Sequence, residues 1–394
     1  MEFRLSSEQE AWRDEVRDFL RENVTDELRD EGKGGELSLS VNQGPATMAF
    51  RRKVVEKGWF GLNWPKEYGG LEKTATEQLI MMEEFDHAGA PNLSLTLTSL
   101  GPAIIRFGTD VNKKEWLPKI IHGDVELALG YSEPDSGTDL ASLQTRAVLD
   151  GDEWVINGQK IWNSGGHIST HEWLAVRTDP DAPKHKGISV IIVPLDSPGI
   201  EVHPLWTWGD VRTNQTFFTD VRVPRENLIG EINRGWYYIA AALDFERVAI
   251  GSFHGSLLKA FESMVQYLKS TVVDGTLLAN RPSIRAKVAE LARDLELAQL
   301  FGYRTATMID SGLVPNREAS QQKIFTTELQ TKFADLGTQF LELAGQLDRF
   351  DPYAPFGGVV EHLYRKAPFL RFGGGTNEVQ RNIVAQRGLG MPRA

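Results

Sequence analysis

The chain has 394 residues, 41% of them hydrophobic and 25% charged, an ordinary globular composition in a length that calls for two or three domains. With 43 basic and 54 acidic residues the net charge is -11, so no basic surface for nucleic acid is expected. The absence of cysteine excludes disulfides, thiolate metal sites, iron–sulfur clusters and a cysteine nucleophile.

The N-terminal "MEFRLSSEQEAWRDEVRDFL" is amphipathic and acid-rich, without the apolar stretch of a signal peptide. Nothing approaches the eighteen or so consecutive apolar residues of a membrane span, so a cytoplasmic protein with no membrane partner is expected. Helical spacing runs from Ser7 to about His122, with Ser6 or Ser7 as the N-cap of the first helix. "RDEGKGGELSLSVNQGP" reads as a polar separator before the next helix, and "WPKEYGG" as a loop held by Pro65, Gly69 and Gly70.

From about Val125 to Val223 the pattern changes to short β-type runs. Asp150-Gly151 and Asn157-Gly158 are turn signals in "RAVLDGDEWVINGQKIWNS", and "EWLAVRTD", "GISVIIVPL" and "NQTFFTDVRV" supply further strands. After Gly235 helical spacing returns in four or five long stretches. The expected fold is α+β multidomain, an all-α bundle interrupted by a β domain: helical over 1–124, β over 125–234 and helical over 235–394.

No Walker A loop, G-x-G-x-x-G or G-x-S-x-G elbow is present. His167 and His171 follow Gly165-Gly166 in the β region, where their spacing does not converge on a metal, so no metal site is expected. "YSEPDSGTDLAS" is either a loop whose hydroxyls cap their own backbone or one that offers amides and hydroxyls to a phosphate or heterocycle. In "FGGGTNEVQRNIVAQRGLG", Thr376 or Asn377 caps a helix running through Gln386, with Gly388 as its stop. Three glycines ahead of that helix suit close approach of a ligand.

The apolar helix "AAALDFERVAIGSF" carries Glu246 with Ala242, Leu243, Ala249 and Ile250 at its helical neighbour positions, while Asp244 and Arg247 can pair across one turn. This window leaves two readings of Glu246 open: a carboxylate that reaches solvent or a distant arginine, or a base with a pKa raised by burial.

Together "GWFGLNWPKEYGG", "YSEPDSGTDLAS", "INGQKIWNSGG", "FTDVRVPRENLIG" and "GGGTNEVQRN" resemble the acyl-CoA dehydrogenase family in order and spacing, over nearly the whole chain. The resemblance implies an N-terminal helical domain, a β-barrel-like middle domain and a C-terminal four-helix bundle, with FAD as cofactor and αβ-desaturation of an acyl-CoA thioester, and electron-transfer flavoprotein or a similar acceptor. By position it implies that Tyr131 and Ser132 line the flavin ring and that Gly137 and Thr138 lie near its phosphates or the CoA. Trp162 would pack on the flavin, Ser164 would bond near N5, and Thr376 and Glu378 would approach the ribityl and pyrophosphate portion. Asp244 and Arg247 match positions that contact CoA.

Many members carry the catalytic base just before Gly-Thr at the start of the last helix; here that position is Gly374. A minority place it on the earlier helix before an arginine, which makes Glu246 the expected base, with the backbone N–H at Gly374 bonding the thioester oxygen. Elements that in the family reach a neighbour's FAD are altered: Thr271 and Asp274 replace Arg and Phe, Pro282 replaces Gln, and only Gly345 survives in "ELAGQ". That pattern resembles actinobacterial heteromeric dehydrogenases acting on steroid side chains, implying a hetero-oligomer with a homologous subunit, or otherwise a homo-oligomer, tetrameric as in the family. An acyl-CoA oxidase and a non-catalytic subunit are the rival readings.

Overall fold

The computed structural model describes residues 4–34, 44–249 and 253–392, and leaves undescribed the side chains of residues 32–34, 244 and 246–249. Helix α1 (Ser7–Asn23) starts at Ser6 in a capping box with Gln9, and its stripe Trp12, Val16, Phe19 and Leu20 is buried. Helix α2 (Asp26–Gly34) occupies part of the stretch expected to be a separator, and residues 35–43 lie outside the described residues. Glu31 stabilises the next helix, α3 (Pro45–Glu56), by accepting from the backbone N–H groups of Ala46 and Thr47 at 2.8 and 2.9 Å. In the "WPKEYGG" loop Gly69 has φ +82, and a Cβ on Gly70 would stand 2.0 Å from the Trp64 carbonyl oxygen.

Helix α4 (Ala75–Ala88) is capped by Thr74 and Glu77. A π-helical turn over Thr96–Leu100 precedes α5 (Gly101–Phe107) and α6 (Asp110–Ile121). Such turns are rare and cluster at functional sites.

The middle region is one curled seven-stranded sheet: β1 (Leu127–Gly130), β2 (Arg146–Asp150), β3 (Glu153–Ile161), β4 (His171–Arg177), β5 (Ile188–Pro194), β6 (Ile200–Trp206) and β7 (Arg212–Pro224). The order is β1-β4-β2-β3-β7-β6, with β5 also paired to β4. Asp150-Gly151 is the β2–β3 turn, as expected. Asn157-Gly158 is not a turn: it lies inside β3 opposite a bulge in β7, where Thr219 and Asp220 face Asn157 alone, with Asp220 at φ +51 and Gly158 at φ +150. The interior of the curl is apolar over most of its length, with Trp154, Ile156, Leu174, Val176, Phe218, Val221 and Val223 buried together.

Helices α7 (Gly235–Ala249), α8 (His254–Ser270), α9 (Pro282–Asp310), α10 (Asn316–Leu341), α11 (Val359–Leu370) and α12 (Asn377–Ile383) complete the described chain. Between α8 and α9 lies an unexpected hairpin, β8 (Val272–Val273) and β9 (Thr276–Leu277), turned by Asp274-Gly275, both with positive φ. Helix α12 is shorter than expected: regular geometry stops at Ile383, and a π-helical turn carries the chain through Val384–Gly388. No described helix is long and apolar enough to cross a membrane.

Candidate active site

The ends of β1 and β3 bring four of the expected residues side by side. The Ile161 N–H donates to the Ser132 carbonyl at 2.9 Å, setting Tyr131-Ser132 against the segment Trp162–Ser164. Trp162 sits just past β3 in the left-handed region, φ +63, with 54% of its surface exposed. Backbone strain and an exposed indole in one residue mark a prepared surface.

The next residue, Asn163, is fully buried, and its N–H donates to the Asn214 carbonyl at 3.1 Å, while Asn214 Nδ2 donates back to the Asn163 carbonyl at 2.7 Å. Beneath the platform Lys160, also fully buried, donates to the Tyr131 carbonyl at 3.1 Å and to Glu133 Oε1 at 2.8 Å. Glu133 accepts further from the N–H groups of Gln144 and Thr145. Burial pushes the Glu133 carboxyl upward, but Lys160 and these donors outweigh it and hold it below the usual range. Lys160 and Glu133 were not singled out by sequence. Lys160 continues the inward series of Trp154 and Ile156 along β3, and a charge in that alternation was the available signal.

In "YSEPDSGTDLAS" the self-capping reading holds for two hydroxyls: Ser136 and Ser142 donate to the Asp139 carbonyl at 2.9 and 2.6 Å. Gly137 and Thr138 are exposed, and a Cβ on Gly137 would meet nothing within 4 Å. His167 Nδ1 accepts from Asn214 Nδ2 at 3.2 Å and is pushed down to about 4 by burial, and His171 meets Thr170 and the Trp116 ring.

The second cluster forms where α12 begins. Thr376 is the N-cap, its hydroxyl accepting from the Val379 N–H at 3.2 Å. Gly374 and Gly375 have φ +66 and +90, and Gln380 Nε2 holds the Gly374 carbonyl at 3.0 Å. Fully buried Lys323 on α10 donates to the Arg371 carbonyl at 2.8 Å and to Asn377 Oδ1 at 2.7 Å, tying this turn to the bundle. Glu378 is exposed; its own backbone N–H and the Thr376 hydroxyl hold its carboxyl low.

The backbone of Asp244, Glu246 and Arg247 belongs to α7, while their side chains lie outside the described residues. Helix α7 packs on the π-helical turn, where Ser99 Oγ donates to the Ala242 carbonyl at 2.6 Å, and also on α10. Thus α10 contacts both the helix of Glu246 and the turn of Gly374.

Three family models match the chain in order: acyl-CoA dehydrogenase N-terminal domain over residues 6–124, middle domain over 128–221 and C-terminal domain over 233–389. The chain belongs to the acyl-CoA dehydrogenase family. It is 38% identical over 407 residues to acyl-CoA dehydrogenase FadE26 of Mycobacterium tuberculosis, across 100% of both chains. Among solved structures it is similar to the Tcur3481-Tcur3483 steroid ACAD, with TM-score 0.92 and 37% identity over 100% of both chains. It is also similar to the ChsE4-ChsE5 complex from Mycobacterium tuberculosis, with TM-score 0.91 and 38% identity, again over 100% of both chains. The activity is accordingly FAD-dependent desaturation of an acyl-CoA thioester.

The residues fit FAD. An exposed indole beside the Ser132 and Ser164 hydroxyls suits a flat heterocycle with polar edges, and the open space at Gly137 leaves room that no side chain fills.

Proposed function

We propose that Glu246 is the catalytic base, removing the α-proton of the thioester. The observation that carries this is the seat of its helix, fastened to the π-helical turn through Ser99 and sharing α10 with the Gly374 turn. An apolar setting raises a carboxylate's basicity, closing part of the gap to a weakly acidic α-carbon. The Gly374 N–H donates to the thioester oxygen as charge develops there, a contact worth about 3 kcal/mol in such sites. Asp244 and Arg247 contact the CoA portion. Tyr131, Ser132, Trp162 and Ser164 hold the flavin ring, Gly137 and Thr138 lie by its phosphates or the CoA, and Thr376 and Glu378 approach its ribityl and pyrophosphate portion. Bound FAD supplies the acceptor for the β-hydrogen as hydride.

The same proposal divides the chain at 124 and 234, places it in the cytoplasm, takes a lipid or steroid side-chain thioester as substrate and passes electrons to an electron-transfer flavoprotein or similar acceptor. It also pairs this chain with a homologous subunit, in a tetramer. Support for pairing comes from the surface formed by the altered elements. Arg281 binds Glu342 at 3.0 Å and reaches Asp274 at 4.0 Å, so this cation is answered by carboxylates of its own chain. Thr271 ends α8, Pro282 opens α9, and Gln346 closes an exposed turn, and none of them supplies a cation for a neighbour's diphosphate.

The test is anaerobic addition of candidate acyl-CoAs to the flavin-loaded protein, followed by flavin absorbance. Bleaching is expected in the wild type, and Glu246→Gln should slow it by about 10²–10⁴ while keeping FAD bound. Bleaching at the wild-type rate in Glu246→Gln would assign the base elsewhere.

A further inference from the structure

The apolar interior of the β domain ends in a polar plug directly under Trp162–Ser164. Along β4 the inward positions run Val176, Leu174, then Glu172; along β7 they run Val221, Phe218, then Thr216; along β3 they end at Lys160. Glu172, Lys160, Asn163, Thr216 and Asn214 are all fully buried. Room for Glu172 is made by Gly130 on β1, where a Cβ would stand 2.0 Å from Glu172 Oε1.

The plug holds two carboxyls and one lysine. Lys160 is already bonded to Glu133 at 2.8 Å, and Glu133 has two backbone donors besides. Glu172 has no such set: neither of its oxygens makes a hydrogen bond of good geometry among the described residues, nor does Oδ1 of Asn163, whose side chain lies within reach of it. Asn163 Nδ2 is directed to Thr216 Oγ1 at 3.5 Å. Bare acceptors gathered in a buried interior are costly unless one carries a proton, and a single proton on Glu172 satisfies Asn163 Oδ1 and the carboxyl oxygen that bears it.

We propose that Glu172 is a neutral carboxylic acid that donates to the Asn163 side chain, and is thereby a positioning residue for the Trp162–Ser164 platform. This rests on the reading that the platform carries the flavin ring. The other titratable groups near it are Lys160, with Glu133 and Arg177 beyond it, and His167 across Asn214; β1, β5 and β7 present Gly130, Val193, Thr216 and Asn214. Burial pushes Glu172 up to about 8, only partly opposed by Lys160 and the Asn163 side chain, and pushes His167 down to about 4. An acid whose folded pKa is raised contributes stability at low pH that declines from its unfolded value near 4.3 up to about 8 and is absent above.

The experiment compares wild type, Glu172→Gln and Glu172→Leu as full chains in their flavin-loaded assembly between pH 5 and 9. In the wild type the flavin band should shift with a midpoint near pH 8, and flavin should leave about tenfold faster at pH 9 than at pH 6.5. Glu172→Gln, whose amide donates at every pH, should keep the low-pH spectrum throughout and lose the decline in thermal midpoint between pH 5 and 8. Glu172→Leu should release flavin about tenfold faster at all pH values. A wild-type band without a transition near pH 8, or a transition retained in Glu172→Gln, would overturn the proposal. If neither variant folds, the wild-type titration decides alone. Trp162→Ala serves as the control: an unchanged flavin spectrum there would overturn the platform reading and the link to flavin together. A perturbed spectrum there with no pH transition in wild type would sink only the role of Glu172.

Discussion

Trp162 combines a left-handed backbone with an exposed ring, and both features cost stability in the isolated chain. More than half of the residue's surface stays uncovered, which leaves the ring free to carry a ligand. Trp162→Ala is therefore expected to leave the stability of the flavin-free chain within about 0.5 kcal/mol of wild type, because an exposed side chain is removed. The same change should weaken flavin retention about tenfold and shift the flavin spectrum, since aromatic packing contributes about 0.5–1.5 kcal/mol beyond area. Equilibrium denaturation and flavin release rates check the two halves separately. Equal flavin affinity in both proteins would remove Trp162 from the cofactor site.

Among elements, the contact of α4 with α8 depends on one missing side chain. A Cβ on Gly255 would stand 2.2 Å from the Glu83 carbonyl oxygen and 3.0 Å from the His87 nitrogen, both backbone atoms that cannot rotate away. Gly255→Ala should destabilise the chain by about 1–3 kcal/mol, read as a lower denaturant midpoint, as in other overpacked interiors. The opposite holds at the end of α10. Glu342 has φ 52 and ψ -131, a conformation that glycine alone adopts without strain, and its carboxylate binds part-exposed Arg281. Glu342→Gly should therefore stabilise by about 1 kcal/mol, because relieved strain exceeds the small value of a surface ion pair. A lower thermal midpoint in that variant would mean the ion pair outweighs the strain.

For the whole molecule, the decisive quantity is the flavin count. A neighbour's diphosphate would meet Asp274 and Glu342 around Arg281, with no further cation from Thr271 or Pro282. Expressed alone, the chain is expected to carry well under one flavin per protomer, and a homologous subunit with the missing cation should raise the count to one per heterodimer. Native mass measurement with flavin absorbance checks both. One tightly bound FAD per protomer in an active homo-oligomer would exclude the heteromer and leave the dehydrogenase activity standing.

Much of this was legible without coordinates, because it depends on local periodicity and on motifs held in register. The N-cap at Ser6, the Asp150-Gly151 turn and the change from helical to alternating pattern near Val125 are short-range properties of neighbouring residues. The same is true of the motifs that imply FAD and an acyl-CoA substrate. Asn157-Gly158 misled because a turn dipeptide can also sit in mid-strand opposite a bulge, and only the partner strand β7, which continues past it, distinguishes the two. The polar separator concealed α2 because the helix offers Leu28 as a buried apolar contact while Arg29 and Asp30 are exposed and Glu31 turns to the start of α3. The polar plug under Trp162 could not be read at all in this way. Lys160, Asn163, Glu172 and Thr216 come from separate segments, and whether a buried carboxyl keeps its proton depends on which donors the fold brings within reach.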